Sequence, residues 1–294
     1  MWTMEGFSLD WRVAGPVIAG LAVLALLAAE SGVPLRERKY PLRRRAGANL
    51  CLWAVAFAVN IFVVRRAAEY VIGWAPDRRF GLLNLVALPV GVQFALGFLL
   101  MDFTFYYWHR VNHEIRLLWR FHNVHHVDPD VDVLTAFRFH FGEILFSAGF
   151  RVAQLGLIGV APLTFVVYEF VFQYATMFHH SNVRIPVRFE RWLNKVVVTP
   201  RMHGIHHSIV REERDSNYSV IFRWWDTVSR SLRLNIPQSE VVVGVPAYLQ
   251  EGDNKLWRLM ILPFIKQKRY GRLPDGTRPK RESTRHVNRA LMVE

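Results

Sequence analysis

The chain has 294 residues, of which 52% are apolar and 21% charged, with a formal net charge of +13. That length allows one large domain or two small ones. The charge does not mark a nucleic-acid binder, because the basic residues flank apolar stretches and no groove-reading motif accompanies them.

Three apolar runs come first: Val13 to Ala29, Ala48 to Val64 with Asn49 and Asn60 as polar exceptions, and Leu82 to Leu100. Runs of about 17–25 apolar residues suit a helix crossing a hydrocarbon core about 30 Å thick. The third continues through Asp102 into Phe105-Tyr106-Tyr107-Trp108, an aromatic cluster suited to the headgroup level. The leader carries Glu5, Asp10 and Arg12 and lacks a small-x-small cleavage site, so the first run is expected to stay as an anchor. Cys51, the single cysteine, sits inside the second run and is expected in the core. Disulfides and thiolate metal sites within one chain are thereby excluded.

The basic block Arg36, Arg38, Lys39, Arg43, Arg44 and Arg45 separates the first two runs and marks a cytoplasmic loop beside anionic lipid. The N-terminus is then outside, the second run exits and the third returns near Trp108. Arg65, Arg66, Arg78 and Arg79 fall in the outer loop against the trend, but the first loop dominates. Residues 144–178 are apolar but broken by Arg151, Gly156, Gly159 and Pro162. They predict a hairpin of two short helices that turns near Gly159-Val160-Ala161-Pro162 and returns to the cytoplasm at His179. Beyond it the chain is polar and basic, with Leu256 to Ile265 on the membrane surface before a second basic block, Lys266 to Arg289.

Of 12 histidines, 11 lie between positions 109 and 207. They are grouped as His109-x₃-His113, His122-x₂-His125-His126, His179-His180 and His203-x₂-His206-His207, with His140 alone. Residues i, i+3 and i+4 share a helix face, so each His-x-x-His-His is expected to present three imidazoles as one cluster. Two such tripods, the pair, and one ring from His179 or His180 supply more nitrogens than one ion can bind. Two metals with open positions follow, and open positions are what dioxygen chemistry needs. A haem with two axial histidines leaves the rest unexplained. His286, isolated in the tail, reads as structural. Asp102, Tyr106, His109 and His113 share one helix face, which makes Asp102 a candidate to orient an imidazole; the plainer alternative is a capping or interhelical contact.

With these boxes, residues 100–231 resemble the fatty acid hydroxylase superfamily of sterol desaturases, sphingolipid hydroxylases and alkylglycerol monooxygenase. The resemblance extends to Asp102 with Tyr106-Tyr107-Trp108-His109-Arg110 and Leu118-Trp119, then to Thr135, Arg138, His140 and Glu143. Thr199-Pro200, Asp215-x-Asn217-Tyr218 and Trp225-Asp226 complete it. The chain departs from the pattern at Phe141, Ser219 and Ser229-Arg230-Ser231, none of them a predicted ligand.

The resemblance implies an all-α, multi-pass membrane fold with a cytosolic helical cap. Residues 1–100 are then anchor helices, 101–235 a di-iron domain that includes the hairpin, and 236–294 a basic membrane-surface tail. It implies metal ligands at His109, His113, His122, His125, His126, His203, His206, His207 and His180, with His179 the alternative at that last place. Supporting roles fall to Asp102, Tyr106, Arg138, His140, Glu143, Asn182, Asp215, Asn217 and Asp226. The expected cofactors are two iron ions, with zinc as a surrogate, and O₂ as co-substrate. No haem, flavin or nicotinamide motif is present, so electrons come from a separate electron-transfer protein. The substrate is a lipid oxidised at a C–H bond by hydroxylation, desaturation or ether cleavage. A zinc hydrolase built on the same nitrogens is the alternative function.

Overall fold

In the computed structural model, which describes residues 11–281, helices carry the architecture and no strand forms among the described residues. Glu5, Asp10, the basic tail beyond Arg281 and His286 lie outside the described residues.

Helix α1 (Trp11–Gly32) holds the first apolar run. Helix α2 (Leu42–Val59) passes through a π-helical stretch, Asn60–Val64, into α3 (Arg65–Asp77), so that Leu42–Ala75 is one apolar helix of 34 residues. Helix α4 (Val90–Glu114) starts later than the third run does. Pro89 is its N-cap, and Leu82–Asn84 before it form a separate 3₁₀ turn. Helix α5 (Arg116–His126) follows, then α6 (Phe141–Ile158) and α7 (Pro162–His180). The turn expected near residues 159–162 separates the last two. Gly159 ends α6 in the left-handed region at φ 74°, and Pro162 opens α7 where its missing N–H costs nothing. By length and composition, Leu42–Ala75, Val90–Glu114 and Phe141–Ile158 suffice to cross a membrane. Short helices α8 (Val187–Leu193), α9 (Pro200–His206), α10 (Arg211–Arg214), α11 (Trp224–Val228) and α12 (Leu256–Ile261) build the remainder.

The apolar core joins α3, α4, α6 and α7 through residues such as Ala68, Met101, Leu155 and Tyr168. A second cluster sets Leu52 and Trp119 against Val245, Leu259 and Leu262. The 256–265 segment therefore has an inner face, while Trp257 and Phe264 remain exposed.

Two expectations are corrected here. The buried face of α2 is Arg45, Asn49, Leu52 and Ala56, which leaves Cys51 exposed on another side. The basic block is also not simply a lipid-facing loop. Arg45 is buried and grips Asp128 with two 2.7 Å contacts and Asp132 with a third. Arg36 is buried against Gln238 (2.6 Å), and Arg38 pairs with Glu30 (2.9 Å). Buried guanidinium groups need such acceptors, and the 128–132 loop supplies three carboxylates. Arg43 and Arg44 stay exposed.

Candidate metal centre

The histidines converge from four helices. α4 brings His109 and His113 in its last turns, α5 ends in His122, His125 and His126, α7 ends at His180, and α9 carries His203 and His206 with His207 as its C-cap. They form two groups, His109, His113, His122, His126 and His206 in one, His125, His180, His203 and His207 in the other. Within each group, all the ligand atoms lie within 4.8 Å of one another.

Neither tripod makes a single cluster, contrary to the expectation from spacing. The i and i+4 rings of each box stay together, while the i+3 ring crosses to the other group: His125 leaves His122 and His126, and His206 leaves His203 and His207. On a helix turning about 100° per residue, i+4 lies about 40° from i, but i+3 falls about 60° away on the opposite side. Inward Nε2 atoms approach to 3.2 Å for His122–His126, 3.1 Å for His125–His180, 3.0 Å for His180–His203 and 3.2 Å for His203–His207. Two nitrogens bound at right angles to one ion at about 2.1 Å stand about 3.0 Å apart, so these are coordination-edge spacings.

Acceptors on the outside of five of the nine rings fix their tautomers. Nδ1–H of His109 donates to the Tyr218 carbonyl (2.7 Å), that of His206 to Ser216 (2.6 Å) and that of His180 to Thr176 (2.8 Å). His122 donates to the Glu143 carboxylate (2.8 Å) and His125 to the Arg138 carbonyl (3.3 Å). The Nε2 lone pairs are thereby left pointing inward. Burial, followed by the neighbouring rings, holds His126, His203 and His207 well below the usual imidazole range, hence neutral. His206 Nε2 and both His113 nitrogens are buried with no hydrogen-bond partner among the described residues. Facing lone pairs without a shared proton repel unless a cation lies between them. This donor set, all imidazole, fits two metal ions such as iron or zinc.

The structure sorts the remaining candidates. His179 stands in neither group; its Nδ1–H donates to the Val220 carbonyl (3.1 Å) and its ring packs on His203. Glu143 orients His122 directly. Arg138 fixes His125 through its carbonyl, while its guanidinium ties α5 to Asn49 and Asn254. Asp226 accepts from the Tyr218 and Ser219 amides (2.9 Å each) and so holds the carbonyl that receives His109. Asn217, in the left-handed region at φ 54°, ties the 203–207 box to the following loop through Met202 and Arg233.

Others act elsewhere. Asp102 meets no imidazole: it accepts from Trp225 Nε1 (2.7 Å) and the Phe222 amide (3.1 Å), the interhelical alternative. Tyr106 bonds Ser231 (2.8 Å). His140 caps α6 through Gly142 and donates to Met260. Asn182 locks the α1–α2 linker through Arg36, and Asp215, bound to Arg211 and Arg214, stays 3.8 Å from His113. Sequence reasoning missed the carbonyls of Thr176, Ser216 and Tyr218, since a backbone acceptor leaves no mark in residue type.

A cavity of about 250 Å³ leads from the rings of His109, His122, His125, His180 and His203 into the space between α2, α4, α6 and α7. Its walls are mainly apolar and carry aromatic rings, among them Trp53, Phe57, Phe105, Trp108, Phe150 and Phe172.

Residues 94–231 match the fatty acid hydroxylase family model, which supports a place for this segment in the fatty acid hydroxylase superfamily. Relatives include the ornithine lipid hydroxylase OlsE of Rhizobium tropici, 30% identical over 56% of this chain and 49% of that protein. Human alkylglycerol monooxygenase is 31% identical over 45% of this chain and 28% of its own length, and human cholesterol 25-hydroxylase 30% identical over 46% and 49%. The chain thus spans half or less of these relatives. No solved structure matches it.

Proposed function

We propose that the chain is a membrane-embedded lipid hydroxylase in which the two histidine groups hold a pair of irons. The observation that carries this reading is the meeting of five and four inward-facing imidazoles at the end of an aromatic cavity set among apolar helices. Relatives named for hydroxylation or monooxygenation of ornithine lipid, alkylglycerol and cholesterol support a lipid as substrate. The net reaction inserts one oxygen of O₂ into a C–H bond, reduces the other to water, and consumes two electrons and two protons from an external donor.

When bound, the irons supply the activation of O₂. The protein supplies the rest. Neutral imidazoles leave the ions their full positive charge, and carbonyl and carboxylate acceptors fix five of the nine rings. Aromatic walls hold the lipid chain and exclude water from the reacting carbon. The histidine end faces the cytoplasm, where a separate protein delivers electrons. The exposed Arg43 and Arg44 near that end support this side.

The test is metal analysis with O₂ uptake. Purified chain should hold close to two irons and, with a chemical reductant, place oxygen-18 from O₂ into a lipid product. A stoichiometry of one with every histidine intact would refute the paired site. Turnover supported by zinc without O₂ uptake would assign the site to hydrolysis instead. A reporter fused at the C-terminus should be active only inside the cell, and activity outside would refute the orientation.

A further inference from the structure

The cavity has a second polar end, away from the metal groups. Helix α6 lines it with Glu143, Ser147 and Arg151, at i, i+4 and i+8. Helix α7 lines it with Glu169, Gln173, Thr176 and His180, at i, i+4, i+7 and i+11. Both stripes start at the histidines and end at the ion pair of Arg151 Nη2 with Glu169 Oε1, 2.9 Å long. At 1.5 Å per residue, that pair lies about 12 Å along α6 from Glu143 and about 16 Å along α7 from His180. Asn60, the first residue of the π-helical stretch, reaches the same cavity from α2.

Stapling α6 to α7 explains only half of this. The Arg151 side chain is nearly buried and committed, donating to Gln154 while it lies over the Phe105 and Tyr168 rings. The Glu169 side chain is 40% exposed, with Arg151 as its one ionic partner among the described residues. Asn60 is exposed and Gln173 half-buried, and neither side-chain amide makes a hydrogen bond among the described residues. Between membrane helices, a carboxylate oxygen and two amides facing plain hydrocarbon are costly. An acyl chain alone leaves them so.

We propose that this end of the cavity is a subsite for the polar part of the substrate, and that it selects groups carrying N–H or O–H donors: hydroxyl, amide or ammonium. Glu169 is the principal acceptor, and Asn60 and Gln173 complete the site. A free carboxylate or phosphate, which offers only acceptors, meets like charge at Glu169 and a guanidinium already engaged. Anchoring the polar group here makes the cavity a ruler, because it sets which carbon reaches the metal groups. The proposal deepens the lipid hydroxylase reading and rests on it.

The test is binding to zinc-loaded protein in detergent, read as quenching of tryptophan fluorescence, Trp53 and Trp108 being wall residues. Three probes share one brominated acyl chain: an N-acylethanolamine, the methyl ester and the free fatty acid at alkaline pH. The ethanolamide should bind about ten-fold or more tighter than either of the others, the scale of a hydrogen bond to a charged group. Glu169→Gln should keep part of that preference. The double variant Arg151→Leu/Glu169→Leu, which leaves no orphaned charge to compromise folding, should reduce the ratio to about one with methyl-ester affinity unchanged. A wild-type ratio near one, a preference that survives in the double variant, or fatty acid bound as tightly as ethanolamide would overturn the subsite. Oxygen-18 incorporation is scored separately. Selective binding without any O₂-dependent product upholds the subsite and refutes the hydroxylase reading.

Discussion

Replacing Arg45 by methionine removes the group on which the 128–132 loop closes. Its guanidinium makes three 2.7 Å contacts with Asp128 and Asp132 and a fourth, at 2.9 Å, with the Asp130 carbonyl, all buried. Two carboxylates would be left in the interior. Arg138 at 3.8 Å from Asp128 and Arg38 at 3.8 Å from Asp132 compensate only in part. Breaking one buried pair this way costs about 3–5 kcal/mol, a factor of about 10²–10⁴ in the folded-to-unfolded ratio. The damage should reach the metal centre, because Arg138, whose carbonyl receives His125, also hangs on this network. Acid should weaken the same contact. Burial pushes Asp128 upward, but Arg45 and Arg138 outweigh it and hold the carboxyl below its usual range. Its stabilisation is therefore complete above about pH 4 and is lost as pH falls through the lowered value. We expect Arg45→Met to lower the unfolding midpoint at neutral pH and flatten the acid limb of its pH profile. Asp128→Asn added to Arg45→Met should recover part of the loss. The assay is thermal unfolding in detergent with metal content at each pH. A loss under about 1 kcal/mol, or no coupling between the two substitutions, would refute the reasoning.

His180→Ala should lose metal from the second group, whereas His179→Ala should keep full metal content; reversal of the two by elemental analysis would exchange their roles. Asp102→Leu should retain both metals yet unfold earlier by about 1–3 kcal/mol, because Trp225 Nε1–H and the Phe222 amide lose a buried acceptor; metal loss at unchanged stability would return Asp102 to the imidazoles. Glu143→Ala should lower metal affinity or turnover about 10–100-fold, with Glu143→Gln milder because its amide oxygen still accepts from His122, a ranking that competition against a chelator measures.

Much of the fold was legible because its signals are local. Apolar run length marked the helices, and Gly159 with Pro162 marked the hairpin turn. The histidine spacing marked most of the rings that converge in the two groups, and the resemblance singled out His180. The pairing of those rings was not legible. Whether His125 joins His122 or His203 depends on how α5 meets α9, a tertiary relation that no spacing within one box encodes. Asp102 misled for a related reason. Sharing a face with His109 puts it on the right side of α4, but the tryptophan that claims it arrives from a segment over a hundred residues later. The role of Arg45 was half visible. A basic block beside an apolar run reads as a lipid contact until three aspartates, spaced by two after the second box, are set against it.

The exchange of one ring between the boxes bears on how the protein matures. An ion seated in either group would be clasped by segments about eighty residues apart, so neither group is complete until α5 and α9 have met. Metal would act as a rivet through the finished bundle rather than as a seed for one piece of it. A nascent chain that has emerged only through α7 offers four imidazoles of the first group but only His125 and His180 of the second, so the second group is completed last.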